Sequence, residues 1–177
     1  MDYSARIVLS ITDVSIYTVI IMVVFLAVSS FFSMSETVFS SVNIIRLKTF
    51  IEEGRKGSKK AVWITDNFDL TLSTILVGNN LANIALATVS VSVFSQIFES
   101  SPQLVTWLNT FVMTTIILIF GEIVPKSFAK NNAEKLALLI SRLLYAIITF
   151  LKPITWIFIK IKELIDNSDM NQMKKNI

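Results

Sequence analysis

Apolar and polar positions in this chain are segregated into whole segments. Four long apolar runs, at 14–45, 70–98, 102–120 and 136–161, are separated by short polar segments. The first run contains one charged residue, Glu36, and the second contains none. Because a helix needs roughly 20 apolar residues to cross a bilayer, the first three runs predict transmembrane helices at about 14–42, 68–98 and 102–122.

The fourth run leaves two interpretations open. Its length suits a further span, but Arg142, Lys152 and Lys160 interrupt it and Pro153 breaks or kinks it. A crossing would also place the lysines that follow on the outer side, against the positive-inside rule. A pair of juxtamembrane helices at about 133–161, with basic side chains reaching the headgroups, is therefore favoured over a fourth span.

The distribution of basic residues predicts the orientation. The segment 43–61 contains six of them, and a short loop this basic is typically cytoplasmic. Its plainest structure is a solvated helical hairpin with a Glu52–Lys56 pair. The loop 99–104 has no Lys or Arg, which suits the outer side. Residues 1–13 are then an extracellular segment, and 162–177 a cytoplasmic linker or truncated end.

Composition places the chain among integral membrane proteins. Its 177 residues suit one domain, and 53% are hydrophobic and only 16% charged, whereas soluble domains are roughly 25% charged. The absence of Cys excludes disulfides and thiolate metal sites, and the absence of His removes the commonest transition-metal ligand. Any metal ion must therefore be bound through oxygen atoms.

Three polar clusters interrupt the predicted spans. In the first, Ser33, Glu36, Thr37 and Ser40 share one helical face, and Ser35 lies among them. A carboxylate at this depth is costly unless it faces protein, water or a cation. The second cluster comprises Gly78, Asn79, Asn80 and Asn83, and the third Gly121 and Glu122 before Pro125. Together they offer carboxylate, hydroxyl and amide oxygens, which suit hard cations such as Mg²⁺, Ca²⁺ or Na⁺.

The second and third clusters also have plainer interpretations. The three asparagines can pair across helices, and Gly78 permits close packing. Alternatively, the asparagines present oxygens to an ion, together with backbone carbonyls freed near Gly78. Glu122 can pair with Lys126 at the interface. The three clusters can nevertheless form one site, because the asparagines lie roughly 15 Å into their span and can meet the other clusters in the inner half of the membrane.

Four segments resemble the membrane domain of the CorC / cyclin M (CNNM) magnesium transporters. They are FFSMSETV (31–38), RLKTFIEEGRKGSKKA (46–61), ILVGNNLANIA (75–85) and GEIVPK (121–126), and the resemblance covers about 14–161. It implies an all-α integral membrane fold in which each subunit of a homodimer has three transmembrane helices and a belt of cytoplasmic juxtamembrane helices. It also implies export of Mg²⁺ across the cell membrane, driven by Na⁺ entry.

The resemblance implies an ion site as well. The residues that match the family's site are Ser33, Ser35, Glu36, Asn79, Asn80, Asn83, Gly121 and Glu122. The expected partners are a second copy of the chain and the lipid membrane, and no nucleic acid is expected. The nucleotide-binding CBS modules usual in the family are absent from these 177 residues, which suggests an isolated membrane domain or a truncated product.

The same residue types suggest two alternatives to transport. A non-transporting Mg²⁺ sensor or regulator of other cation transporters would use the same ligands, so the sequence does not separate it from a transporter. An intramembrane hydrolase would need a base to activate a serine. The chain has no His, and Lys126 lies beyond a proline at the membrane edge, so no enzymatic activity is expected.

Overall fold

The computed structural model describes residues 16–153, which are helical apart from short connections. The helices are α1 (Ile16–Ser41), α2 (Ile44–Glu52), α3 (Ser58–Asp66), α4 (Phe68–Ile97), α5 (Pro102–Asn131) and α6 (Ala133–Pro153). Four of them, α1, α4, α5 and α6, are long and apolar enough to cross a membrane. This confirms an all-helical, multi-pass membrane protein. The segments predicted at 1–13 and 162–177, and the end of the juxtamembrane pair at 154–161, lie outside the described residues.

The described chain forms two compact units. The first unit contains residues 16–34 and 78–128, and the second contains 35–77 and 129–153. Helices α1 and α4 each contribute one part to either unit. The two units differ in what they bury, and each is described by itself.

Helix boundaries follow local signals in the sequence. Asn43 caps α2, because its Oδ1 accepts hydrogen bonds from the backbone N–H of Ile45 at 2.9 Å and of Arg46 at 3.3 Å. Asp69 lies in the first turn of α4, where a carboxylate interacts favourably with the helix dipole. Pro102 occupies the first turn of α5, where its missing N–H costs nothing.

Helix α5 continues through Pro125 because its register changes before the proline. Residues Ile117–Ile123 are π-helical, and the N–H of Val124 donates to the carbonyl of Ile119, five residues earlier. The next bond in this register would join the N–H of residue 125 to the carbonyl of Phe120, and proline has no N–H. The proline therefore removes one hydrogen bond without ending the helix.

In the second unit, α6 packs along the hairpin formed by α2 and α3. The contacts begin at the Arg46–Glu134 ion pair, at 2.8 Å. Further along α6, the rings of Trp63 and Tyr145 pack together, with their centroids 4.8 Å apart. The buried residues of α6 recur every three or four positions, as expected for one helix face: Leu136, Ala137, Ile140, Ser141, Leu144 and Ile148.

The turn between α2 and α3 corrects one prediction. Helix α2 ends at Glu52, and Gly54 has a positive φ of 69°. The Glu52–Lys56 pair is absent, because that spacing brings two side chains together only within a continuous helix. Arg55 instead donates to Glu53 at 2.6 Å and lies 4.1 Å from the centroid of the Phe50 ring. The predicted helical hairpin is confirmed, and this ion pair within it is wrong.

Candidate cation site

The first unit contains a buried polar contact between α1 and α4. The side chain of Ser29 is fully buried, and its Oγ donates to Oδ1 of Asn79 at 2.9 Å. Hydrogen bonds of this kind satisfy polar groups between helices that lie in lipid. Pairing across helices, the plainer interpretation of the asparagine cluster, therefore holds for Asn79.

Helix α5 reaches the same hydroxyl through a glycine. Gly121 is buried, and a Cβ atom built on it would lie 3.0 Å from Oγ of Ser29. Contacts this close require the small residues that are enriched between membrane helices. Helices α1, α4 and α5 therefore meet around one serine hydroxyl, and we call Ser29, Asn79 and Gly121 the three-helix junction.

Gly78 has a packing role beside this junction. A Cβ atom on Gly78 would lie 2.3 Å from Cζ of Phe32, whose side chain is buried. Helix α4 is continuous through this position, from Phe68 to Ile97. Backbone carbonyls near Gly78 are therefore engaged in the helix, and the prediction that the helix opens there to expose ligands is wrong.

Asn83 carries an oxygen for which the fold supplies no donor. Its Oδ1 is buried, and no hydrogen-bond donor within residues 16–153 reaches it. An unsatisfied buried polar group costs about 1–3 kcal/mol. Asn83 follows Asn79 by four residues, so both amides lie on the same face of α4. An acceptor without a donor, on the face that carries the three-helix junction, is suited to a cation.

The remaining predicted ligands of the first unit differ in exposure. Ser33 is fully buried and lies one turn after Ser29 on α1. Glu122 is half-buried and directly follows Gly121 within the π-helical segment of α5. Asn80 is exposed. Ser33 and Glu122 therefore follow two members of the junction along their helices, whereas Asn80 is directed away from the interior of the unit.

Two predicted ligands belong to the second unit. Ser35 is fully buried and Glu36 is half-buried. Their participation in a cation site stays a prediction. Among the described residues, no three Asp or Glu side chains form a ready-made metal site. A cation in the first unit would therefore depend on hydroxyl and amide oxygens beside Glu122.

The sequence interpretation missed Ser29 and Ser30. Ser29 precedes Ser33 by four residues, so it lies on the predicted polar face of α1, one turn before the first residue assigned to that face. Ser30 Oγ lies 2.8 Å from the carbonyl oxygen of Leu26 and 2.7 Å from that of Phe120. The hydroxyl can therefore donate to the Phe120 carbonyl, for which Pro125 has no N–H. No local sequence pattern predicts a contact between residues 30 and 120.

These features define a class: a multi-pass helical membrane protein with buried hydroxyl and amide groups between its helices. The family model described as the cyclin M transmembrane N-terminal domain matches residues 20–172. The chain therefore belongs to the cyclin M (CNNM) membrane-domain family, as the sequence motifs predicted.

Several relatives support this assignment. The chain is 36% identical over 139 residues to a UPF0053 protein of Haemophilus influenzae, covering 78% of this chain and 32% of that protein. It is 29% identical over 130 residues to the UPF0053 inner membrane protein YfjD of Escherichia coli, covering 73% and 30%. A chloroplast DUF21 domain-containing protein of Arabidopsis thaliana is 31% identical over 140 residues, covering 78% and 19%. The chain thus spans a third or less of the length of these relatives.

Proposed function

We propose that this chain is the membrane domain of a Mg²⁺ transporter that exports the ion across the cell membrane, coupled to Na⁺ entry. The observation that carries the proposal is the buried Oδ1 of Asn83, which has no donor among the described residues. Membership in the cyclin M family and the oxygen-only ligand set of the first unit support it. The name of the inner membrane relative YfjD supports a location in the cell membrane.

In this proposal the ion is bound mainly by neutral oxygens. Mg²⁺ requires near-octahedral oxygen ligands and usually retains several of its waters. Asn83 supplies an amide oxygen, Ser33 a hydroxyl and Glu122 the negative charge that offsets part of the ion's own. A site with one carboxylate binds the ion more weakly than a cage of carboxylates, which suits a cargo that must also leave.

We further propose three spans, with α6 at the cytoplasmic surface and the N-terminus outside. The support is that α6 contacts the α2–α3 hairpin from Glu134 to Tyr145, roughly 16 Å of helix. The hairpin segment contains six basic residues and is suited to water. The homodimer, expected from the resemblance, and the absence of enzymatic activity, expected because the chain has no His to activate a serine, belong to the same proposal.

Mg²⁺ efflux from proteoliposomes containing only this protein tests the proposal. We expect efflux that an inward Na⁺ gradient accelerates and that Glu122→Gln abolishes. Glu99→Gln is the matched control, because Glu99 is an exposed carboxylate of the first unit between α4 and α5. Normal efflux in Glu122→Gln would remove Glu122 from the site, and an absence of efflux from the unmodified protein would contradict transport.

A second variant separates binding from transport. Asn83→Leu replaces the amide by an apolar group of similar size, so it removes an unsatisfied acceptor and should stabilise the metal-free protein by about 1 kcal/mol. The same variant should lose the protection that Mg²⁺ gives against thermal unfolding. Mg²⁺ protection that persists in Asn83→Leu would exclude this ligand. Protection without efflux in the unmodified protein would favour the sensor or regulator instead.

A further inference from the structure

Two adjoining cavities in the second unit are lined by basic side chains. One has a volume of about 470 Å³ and is formed by the α2–α3 turn and α6. Its five basic lining residues are Arg55, Lys56, Lys59, Lys60 and Arg142. The other has a volume of about 340 Å³, and its basic lining residues are Lys56, Lys135 and Arg142. Lys56 and Arg142 line both cavities, and no Asp or Glu lines either.

Most of this positive charge is not neutralised by the fold. Arg55 pairs with Glu53, and Lys60 lies 4.9 Å from the centroid of the Tyr145 ring. Lys56, Lys59, Lys135 and Arg142 make no ion pair with any carboxylate in residues 16–153. Several like charges that converge on one cavity are unfavourable without a counter-ion, so the chemistry favours an anionic ligand.

The outer face of α6 adds an apolar component. Leu139 is 74% exposed and Leu143 is 57% exposed, and Arg142 lies between them on the same face. Leu138 and Leu139 also line the smaller cavity, beside Lys56 and Arg142. A ligand that fits both features has an anionic group for the basic residues and a long apolar part for the leucines.

We propose that this surface binds the headgroup of an anionic phospholipid. The phosphate is bound between Lys56 and Arg142, Lys59 and Lys135 lie around it, and the acyl chains cover Leu139 and Leu143. Clusters of basic residues at the cytoplasmic surface are a recognised means of binding anionic lipids. The lipid binding rests on the part of the proposed function that places α6 at the membrane surface, and it does not depend on the cation that is carried.

Native mass spectrometry of the full chain in detergent tests the lipid site. The protein is titrated with phosphatidylglycerol and, separately, with phosphatidylcholine of the same acyl chains. We expect preferential binding of phosphatidylglycerol, weakened roughly fivefold by Lys56→Gln and by Arg142→Gln, as for a basic residue near an anionic surface. Lys48→Gln is the matched control, because Lys48 is an exposed lysine of α2 that lines neither cavity.

The possible outcomes distinguish the sources of the anionic group. Equal binding of the two lipids, or equal weakening by Lys48→Gln, would overturn the proposal. Displacement of the lipid by inorganic phosphate or by an acidic peptide would assign the cavities to a soluble anion or to a protein segment instead. Thermal unfolding of each variant without lipid shows whether the fold is retained, and Arg142→Lys should recover part of the binding. Because the readout is lipid binding, a failed ion-flux assay and a failed lipid assay are separate results.

Discussion

Buried hydroxyl groups have different partners in the two units. In the second unit they donate to backbone carbonyls, as Thr71 does to Ile64, Thr74 to Leu70 and Ser141 to Gly57. In the first unit Ser29 donates to a side chain on another helix. Lipid supplies little hydrophobic drive for helix association, so membrane helices depend on small residues and polar contacts. The second unit is instead held by large buried side chains such as Leu47, Ile64 and Leu144. The first unit therefore uses polar contacts between helices where the second uses apolar packing.

The largest effect is expected in the second unit, where the turn between α2 and α3 closely approaches the backbone of α6. In Gly57→Ala, the new Cβ would lie 2.3 Å from the carbonyl oxygen of Leu138, at a backbone φ of 92° that disfavours side chains. We expect a loss of about 3 kcal/mol in the free energy of unfolding. Thermal unfolding followed by tryptophan fluorescence in detergent measures it. Gly54→Ala is the control: its φ is also positive but no atom lies within 4 Å, so about 1 kcal/mol is expected. Equal losses in the two variants would contradict the close contact.

The corresponding change in the first unit should be smaller. In Gly78→Ala the Cβ meets the ring of Phe32, a side chain that can shift, rather than the backbone. We expect a loss of about 2 kcal/mol. Combining it with Phe32→Leu should recover part of this loss, because the two positions share one contact. A double variant whose stability equals the sum of the single effects would show that the ring does not depend on the glycine.

The polar contact between α1 and α4 should contribute less again. Ser29→Ala removes the hydrogen bond to Asn79, and we expect about 1 kcal/mol of destabilisation, as for other hydrogen bonds between membrane helices. Ser92→Ala, at an exposed serine of α4, should have no measurable effect. If Ser29→Ala and Ser92→Ala have the same free energy of unfolding, the stability of the three-helix junction does not depend on the Ser29 hydroxyl.

The smallest effect is expected from the surface charges of the second unit. Arg46 and Glu134 form an ion pair with side chains 61% and 31% exposed. Removing it through Arg46→Gln should cost at most about 0.5 kcal/mol. Adding Glu134→Gln to this variant should then have no further effect. A larger loss would mean that this ion pair helps to hold α6 on the hairpin, and would contradict the conclusion that the second unit is held by apolar side chains.

The sequence predicts the helices well because long apolar runs depend on composition alone. The observed α4 begins and ends within one residue of the predicted span at 68–98, and α1 ends within one residue of the predicted end at 42. The prediction for the third span stopped at 122, whereas α5 continues to Asn131. The helix continues because its π-helical register limits the loss at Pro125 to one hydrogen bond, and Ser30, ninety positions from Phe120, donates to the carbonyl concerned. Such long-range compensation has no local signature.

The candidate site was predicted in part for the same reason. The asparagines and Gly121 are conspicuous because they interrupt apolar runs. Ser29 is not, since five other serines follow it in the second half of α1, and only the approach of Asn79 and Gly121 distinguishes it. The sequence also does not distinguish the roles of Asn79 and Asn83. Asn79 accepts a hydrogen bond from Ser29, whereas Asn83 has a buried oxygen without a donor in the described chain.

The hydrogen bond from Ser30 to Phe120 has an evolutionary consequence. Pro125 is tolerated in α5 because a residue on α1 satisfies the carbonyl that the proline cannot. A relative with any other residue at position 125 would restore the N–H and release position 30 from this role. A relative that retained the proline but lost the hydroxyl would leave the Phe120 carbonyl without this donor. Positions 30 and 125 should therefore change together across relatives, although the two residues lie on different helices.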